Sequence, residues 1–277
     1  MEYTCFNVSI ENRIAHIVLK RPEKRNSMIP EFWEELPAII QDIDDNVRAR
    51  VIIISSMGPH FSSGLDINAF ITGPGQAQND PETQKRARLQ HGAAFYVHLK
   101  RMQQTFNCLE ECRIPVVAAI QGGAIGGGVD LVTACDIRYA AADAVFSIRE
   151  TRLAMVADVG TLQRLPRIID PGSVAELAYT GRDFDAGEAA SLGLVTRVIP
   201  DQDAALAAAL ETAELIAANS PLAVQGTKAV LQAGEGKTVG EALDYVALWS
   251  AAFLHSNDLG EAMASFMERR PPEFKGE

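Results

Sequence analysis

The 277-residue chain is short of cysteine: Cys5, Cys108, Cys112 and Cys135 are the only four, and none forms a C-x-x-C pair. That density excludes a fold stapled by disulfides. Cys108 and Cys112 lie one helical turn apart and read as packed, reduced thiols, because a buried free cysteine behaves as a small hydrophobe. No run of 18 apolar residues exists, which excludes an obvious transmembrane helix. The first residues carry neither a basic segment nor an apolar one, and the last three are not Ser-Lys-Leu. The reading is a reducing, cytoplasmic compartment with no membrane partner. Positive charge is also scarce, with 25 Lys and Arg against 36 Asp and Glu and a net charge of -11. A nucleic-acid partner is therefore not expected, since that needs a basic footprint.

Several chemical signatures are missing as well. The segment from Gly122 to Gly128 does not fit G-x-G-x-x-G in any register, because Ala124, Ile125 and Leu131 occupy required glycine positions. Gly236-Lys237-Thr238 lacks the upstream glycine of a P-loop, with Leu231 in its place. No G-x-S-x-G elbow and no H-E-x-x-H helix is present, and the five histidines are scattered. No metal site is predicted.

What the chain does have is a globular composition, 47% hydrophobic and 22% charged, and enough length to bury a core without staples. Residues 14–20 and 48–56 read as strands, the second as a buried β-branched run. Between them Phe32, Leu36, Ile39, Ile40 and Ile43 recur at helical spacing after Pro30, a residue tolerated in a first turn. Residues 72–87 are polar and read as a long loop, followed by an amphipathic helix over 88–112. Strands are predicted at 116–121 and 137–141, bracketing a glycine-rich turn and a short helix. Beyond about residue 200 the chain turns Ala-rich and helical, with Leu206, Leu210 and Leu215 on one face and Glu211 and Glu214 outside. The organisation is thus an α/β core over 1–200 and a helical region over 201–277.

Two glycine-bearing turns follow strands: His60-Phe61-Ser62-Ser63-Gly64-Leu65-Asp66, and Gly126-Gly127-Gly128 opening a helix. Glycine lets a backbone approach a ligand closely and leaves amide groups facing outward. Two such turns facing each other would make a two-donor oxyanion hole, although either alone also serves as a plain tight turn. Three acids stand beside them. Asp130, just inside the helix, could simply complement its dipole. Glu150 and Asp158 flank a largely apolar stretch, where a carboxyl either finds a partner or has its pKa raised. Carboxyls that share a site push their pKa values apart and supply an acid and a base near neutral pH.

At these residues the chain resembles the enoyl-CoA hydratase/isomerase, or crotonase, family. The matching segments, in order, are RPEKRNSM (21–28), FSSGLDI (61–67), PVVAAIQGGAIGGGVDLVTACDIRYA (115–140), TGRDFDAGEAASLGLVTRVIP (180–200) and MERRPPEF (267–274). Within the family, hydratases carry glutamates at the positions of Asp130 and Glu150 and usually glycine at 158. Asp158 followed by Val159-Gly160-Thr161-Leu162-Gln163-Arg164-Leu165 resembles instead the Δ(3,5)-Δ(2,4)-dienoyl-CoA isomerases, as does Gln104-Thr105-Phe106-Asn107. The chain departs from that branch at Arg152, where an acid is common, and at Ala154, where a glycine is. Arg152 is expected to face solvent or an ion pair.

The resemblance implies a crotonase-like α/β fold, a spiral of ββα units with a C-terminal helical region that assembles trimers or a dimer of trimers. It implies an acyl-CoA thioester substrate, with no cofactor beyond the coenzyme A of the substrate itself. By the same resemblance the amides of Ser63 and Gly127 would hold the thioester oxygen. Glu150 would remove a proton at C2, Asp158 would deliver one at C6, and Asp130 would orient or tune Asp158. Arg21, Lys24 and Arg25 would lie near the CoA phosphates, assisted by Lys275 of a neighbouring subunit. Ser62, Gly64, Leu65, Asp66, Ile67 and Gly126 would complete the substrate site. Two alternatives remain: an enoyl-CoA hydratase using Asp130 and Glu150, and a CoA-ester-binding protein without turnover.

Overall fold

The architecture is taken from a computed structural model, which describes residues 2–67 and 81–277. The strands are β1 (Phe6–Glu11), β2 (Ile14–Leu19), β3 (Val51–Ser56), β4 (Val116–Ile120), β5 (Gly123–Ile125), β6 (Ile137–Ala141), β7 (Val145–Ser147), β8 (Asp183–Asp185) and β9 (Arg197–Ile199). The longer helices are α1 (Pro30–Asp45) and α2 (Pro81–Glu111), followed by the short α3 (Gly127–Thr133) and α4 (Thr161–Arg164). Next come α5 (Pro171–Thr180) and α6 (Ala186–Leu192), and then α7 (Gln202–Ala217), α8 (Pro221–Ala233), α9 (Val239–Phe253) and α10 (Asn257–Glu268).

Six strands form one sheet in the order β1-β2-β3-β4-β6-β9, and three form a second in the order β5-β7-β8. Only the β1–β2 pair of the large sheet is antiparallel. Successive strands alternate between sheets, β4 to β5 and β6 to β7, so the chain winds through ββα units. All six residues of β3 are buried, as expected of a parallel strand covered on both faces. Ile52 and Ile54 pack with α1 and α2 through Phe32, Leu36, Ile40, Phe106 and Leu109. The alternate residues, Val51 and Ile53, join Val117, Ala119 and Tyr139 under α7.

That second face agrees with the reading above at Leu206 and Leu210, which pack half-buried against it, and differs at Leu215. The stripe α7 turns to the sheet is Ala205, Ala209, Ala213 and Ala217, whereas Leu215 is 66% exposed. Alanine at every fourth position lets the helix axis approach the strands, with Leu206, Leu210 and Ile216 packed beside that stripe. The first helix beyond residue 200 is therefore a layer of the core. The loop reading over 72–87 is corrected in part: residues 81–87 are helix, with Pro81 in the first turn of α2, and 72–80 lie outside the described residues. Lys228 on α8, 6% exposed, donates to the carbonyls of Leu109 (2.9 Å) and Ile114 (3.0 Å) and pairs with Asp136 (2.9 Å). This fixes the C-terminal end of α2, the helix that walls the cleft described next.

Candidate active site

A cleft of about 1020 Å³ opens where the two glycine turns meet α2 and the segment 150–159. The turns are zipped together by backbone. Phe61 donates to Gln121, Ser62 to Gly123 and Ile125 to Ser62, each at 2.9 Å. Gly64 is the point of closest approach. Its φ is +77°, and a Cβ there would lie 2.6 Å from the Ile125 carbonyl oxygen and 2.9 Å from the Gly127 nitrogen. Only glycine combines that left-handed conformation with that spacing.

The Ser63 amide expected in the oxyanion hole is already used: it donates to the Arg25 carbonyl at 2.9 Å. Among the described residues, neither the Leu65 amide nor the Gly127 amide has an acceptor, and both residues line the cleft. The unspent pair is therefore Leu65 and Gly127, a shift of two residues along the first turn. It follows from Ser63 being consumed in bracing that turn against Arg25.

The three acids converge on the cleft from three elements. Asp130, on α3, is wholly buried. Its Oδ1 accepts the Thr161 amide at 2.5 Å, and its Oδ2 has no partner. Burial pushes its pKa up to about 7, against the lowering effect of the Thr161 hydrogen bond and with a further rise from the Glu150 charge. Glu150 begins a single 3-10 turn, Glu150–Leu153, and its Oε2 is likewise buried without a partner. Its pKa is raised, chiefly by burial and further by the charge of Asp158. Asp158 presents its side chain openly to the cleft, and burial of its surroundings raises its pKa too. Buried polar atoms without partners are rare in folded proteins. Two of them on neighbouring carboxyls mark a place built for a group that is not protein.

Other expected residues divide. Arg25, Leu65, Ile67 and Gly126 line the cleft. Ser62 does not: its buried hydroxyl donates to the Asn26 carbonyl at 2.8 Å and accepts the Gly64 amide at 3.1 Å, which makes it a brace of the turn. Asp66 faces away from the main cleft and accepts from the Ser27 hydroxyl at 2.9 Å. Arg21 is spent on the Ser27 carbonyl at 2.5 Å, and Lys24 is exposed outside the cleft wall. Lys275 is off this chain's cleft, its amide donating to Asp258 at 2.8 Å. Arg152 is exposed, with its Nε 3.4 Å from the Thr180 carbonyl, so it stays away from the carboxyls as expected. Among the described residues, no three His, Cys, Asp or Glu side chains group as metal ligands.

The sequence reading missed the apolar wall. Phe95, Leu99 and Met102 on α2 face Leu153 and Val156, and Val156 is 70% exposed. The signal was available in the 95, 99, 102 spacing, which puts all three on one helix face. A wall of this kind opposite carboxyls and free amides suits a ligand with a polar reacting end and an apolar tail.

Comparison with known proteins agrees with that chemistry. A sequence profile of the family described as enoyl-CoA hydratase/isomerase matches residues 9–277. The chain is 42% identical over 264 residues to a peroxisomal Δ(3,5)-Δ(2,4)-dienoyl-CoA isomerase of Arabidopsis thaliana, covering 95% of this chain and 93% of the relative. It is 42% identical over 265 residues to a mitochondrial protein of the same description from Rattus norvegicus, covering 95% and 79%. The crystal structure of an enoyl-CoA hydratase from Bacillus anthracis superposes with a TM-score of 0.87 at 32% identity, covering 99% and 100% of the two chains.

Proposed function

Since this chain belongs to the enoyl-CoA hydratase/isomerase family, we propose that it is an isomerase converting 3,5-dienoyl-CoA to 2,4-dienoyl-CoA in fatty-acid oxidation. The observation that carries the reading is Asp158, a third carboxyl lining the cleft, near enough to Glu150 for its charge to raise that group's pKa. A base alone can make a dienolate; completing the shift needs an acid at the far end.

The thioester oxygen is held by the Leu65 and Gly127 amides, which stabilise it as it gains charge. Glu150 takes the C2 proton, and the electron pair moves into the thioester and along the diene. Asp158 returns a proton to C6, leaving two double bonds conjugated with the carbonyl. A raised pKa suits both tasks, because a base and an acid work best when they titrate near the operating pH. Asp130 holds the Thr161 amide and stays next to Glu150. The thioester is the electron sink, so no cofactor is proposed beyond the coenzyme A of the substrate. Arg25 is the basic residue proposed nearest the CoA.

The test is the appearance of conjugated-diene absorbance from a 3,5-dienoyl-CoA. Asp158→Asn should cost 10²–10⁴ in rate, as for a general acid; a loss below about tenfold overturns the role given to Asp158. A second reading rests on the unpartnered Asp130 Oδ2 and Glu150 Oε2, which could orient a water for hydration of a 2-enoyl-CoA. Rapid formation of a 3-hydroxyacyl-CoA would favour it. Tight binding without C2 proton exchange would instead mark a protein that binds CoA esters without turning them over.

Assembly and compartment belong to the same proposal. The site is assigned to residues 1–200 and assembly, as a trimer or a dimer of trimers, to the region 201–277, through α8 to α10 and not through the core-packed α7. What supports this is apolar side chains left open on α8 to α10: Leu231 (70% exposed), Leu248 (71%) and Phe266 (81%). Native mass measurement tests it. Among the described residues no helix is long and apolar enough to cross a membrane. All four cysteines are free thiols, which supports a reducing compartment, proposed as the cytoplasm and testable by fractionation.

A further inference from the structure

Building on the isomerase reading, we propose that a polar stripe on α2 works with Arg164 as a latch that positions Asp158, separately from anything that positions Glu150. Residues 154–160 form neither helix nor strand, so their placement comes from side chains. Gln103 donates from Nε2 to the Asp158 carbonyl at 2.8 Å. One turn further along α2, Asn107 Oδ1 accepts Arg164 Nη2 at 2.6 Å. A further turn on, Glu110 Oε2 accepts Arg164 Nε at 2.8 Å. Positions 103, 107 and 110 share one face of a helix, so the three bonds form a single row.

Arg164 is the pin of the latch. Its side chain is 9% exposed, and its Nη1 reaches back to the Val159 carbonyl at 3.5 Å. The guanidinium lies over Gly160, whose φ is +136° and where a Cβ would fall 1.8 Å from Nη1. On the opposite side the Thr161 amide is held by Asp130. The peptide units at 158, 159 and 161 are thus each gripped, by Gln103 of α2, Arg164 of α4 and Asp130 of α3, and of these three only Asp130 stands beside Glu150. Bonds to a charged guanidinium are stronger and more directional than neutral ones. Displacing a reacting group by about 1 Å can cost on the order of 10² in rate.

The test compares Gln103→Ala, Asn107→Ala and Arg164→Lys in the full chain. Gln103 is half-exposed, so its variant keeps the test available should Arg164→Lys fail to fold. The expected result is a fall in kcat of about 10- to 10²-fold with KM held, while solvent deuterium still enters C2 at the parent rate. Amide exchange over 157–161, measured without substrate, should speed up. In an Asp158→Asn background the same substitutions should cost nothing more, because the coupling runs through Asp158. Equal losses with and without Asp158, or unchanged amide protection, overturn the latch. Should Asp158→Asn itself leave isomerisation intact, the role given to Asp158 falls and the latch with it, whereas a parent chain that produces no conjugated diene would overturn the function reading. Faster exchange in Gln103→Ala would then mark the row as loop-holding only, which also overturns it as a positioning device.

Discussion

The two ends of the segment 150–159 hold their cleft carboxyls by different means. Glu150 lies three residues beyond the end of β7, and β7 is paired on both edges, with β5 and β8. Its turn is tied to α5 by the Thr151 hydroxyl, 2.9 Å from the Ala178 carbonyl, and Arg149 next to it is paired with Asp183. Asp158 sits on irregular chain, held by Gln103 and Arg164 side chains. Backbone ladders resist single substitutions, because no one side chain carries them. Side-chain grips do not. A carboxyl at 158 can therefore be added, removed or moved without disturbing the sheet that places the one at 150.

The largest test of this contrast is Glu150→Gln. It should lower isomerisation by about 10⁴ and abolish C2 deuterium exchange as well, since both need the base. Asp158→Asn should spare the exchange, and equal loss of both reactions in the two variants would erase the distinction. Gly64→Ala comes next. A Cβ 2.6 Å from the Ile125 carbonyl forces the two turns apart and should cost about 10²–10³ in kcat, with both carboxyls intact.

A smaller effect concerns Asp130, which stands behind both acids. Its pKa is raised from 3.8 to about 7. The native state therefore holds more protons than the unfolded chain across that interval. Its contribution to stability is fully present below pH 3.8 and is lost as pH rises through about 7. Asp130→Asn can still accept from Thr161 and should flatten the decline of Tm with pH over that window. An unchanged slope would show that Asp130 is not the group responsible.

The smallest effect lies between the two carboxyls, at Ala154. It caps the 150–153 turn with φ +57° and ψ +32°, a left-handed conformation, at the position where the dienoyl isomerase pattern has glycine. Ala154→Gly should stabilise the protein by about 1 kcal/mol in denaturant unfolding. A loss of stability would place the strain elsewhere.

Much of this was legible along the chain. The periodic apolar residues of α1 and the β-branched run of β3 are local patterns, and the helix starts at Pro30 and buries the five apolar residues expected of it. The glycine turns and the three acids were visible because chemistry restricts residue type at those positions. The wall formed by Phe95, Leu99 and Met102 was overlooked because an amphipathic helix looks the same whether its apolar face meets a core or a cleft. Leu215 misled for the related reason that hydropathy alone does not report how closely a helix must pack.

By itself, then, the sequence determined the α/β alternation, the paired glycine turns and the three acids Asp130, Glu150 and Asp158 that the fold brings to one cleft. These depend on local conformation and on side-chain chemistry, both written residue by residue. Tertiary structure alone decided which amides are unspent. Whether Ser63 or Leu65 offers its N–H turns on the Arg25 carbonyl, which lies 38 residues from Ser63 along the chain. It also decided that Gln103, Asn107 and Arg164 converge on Asp158. A backbone amide has only one N–H to give, and where it is used depends on which distant segments the fold brings within about 3 Å.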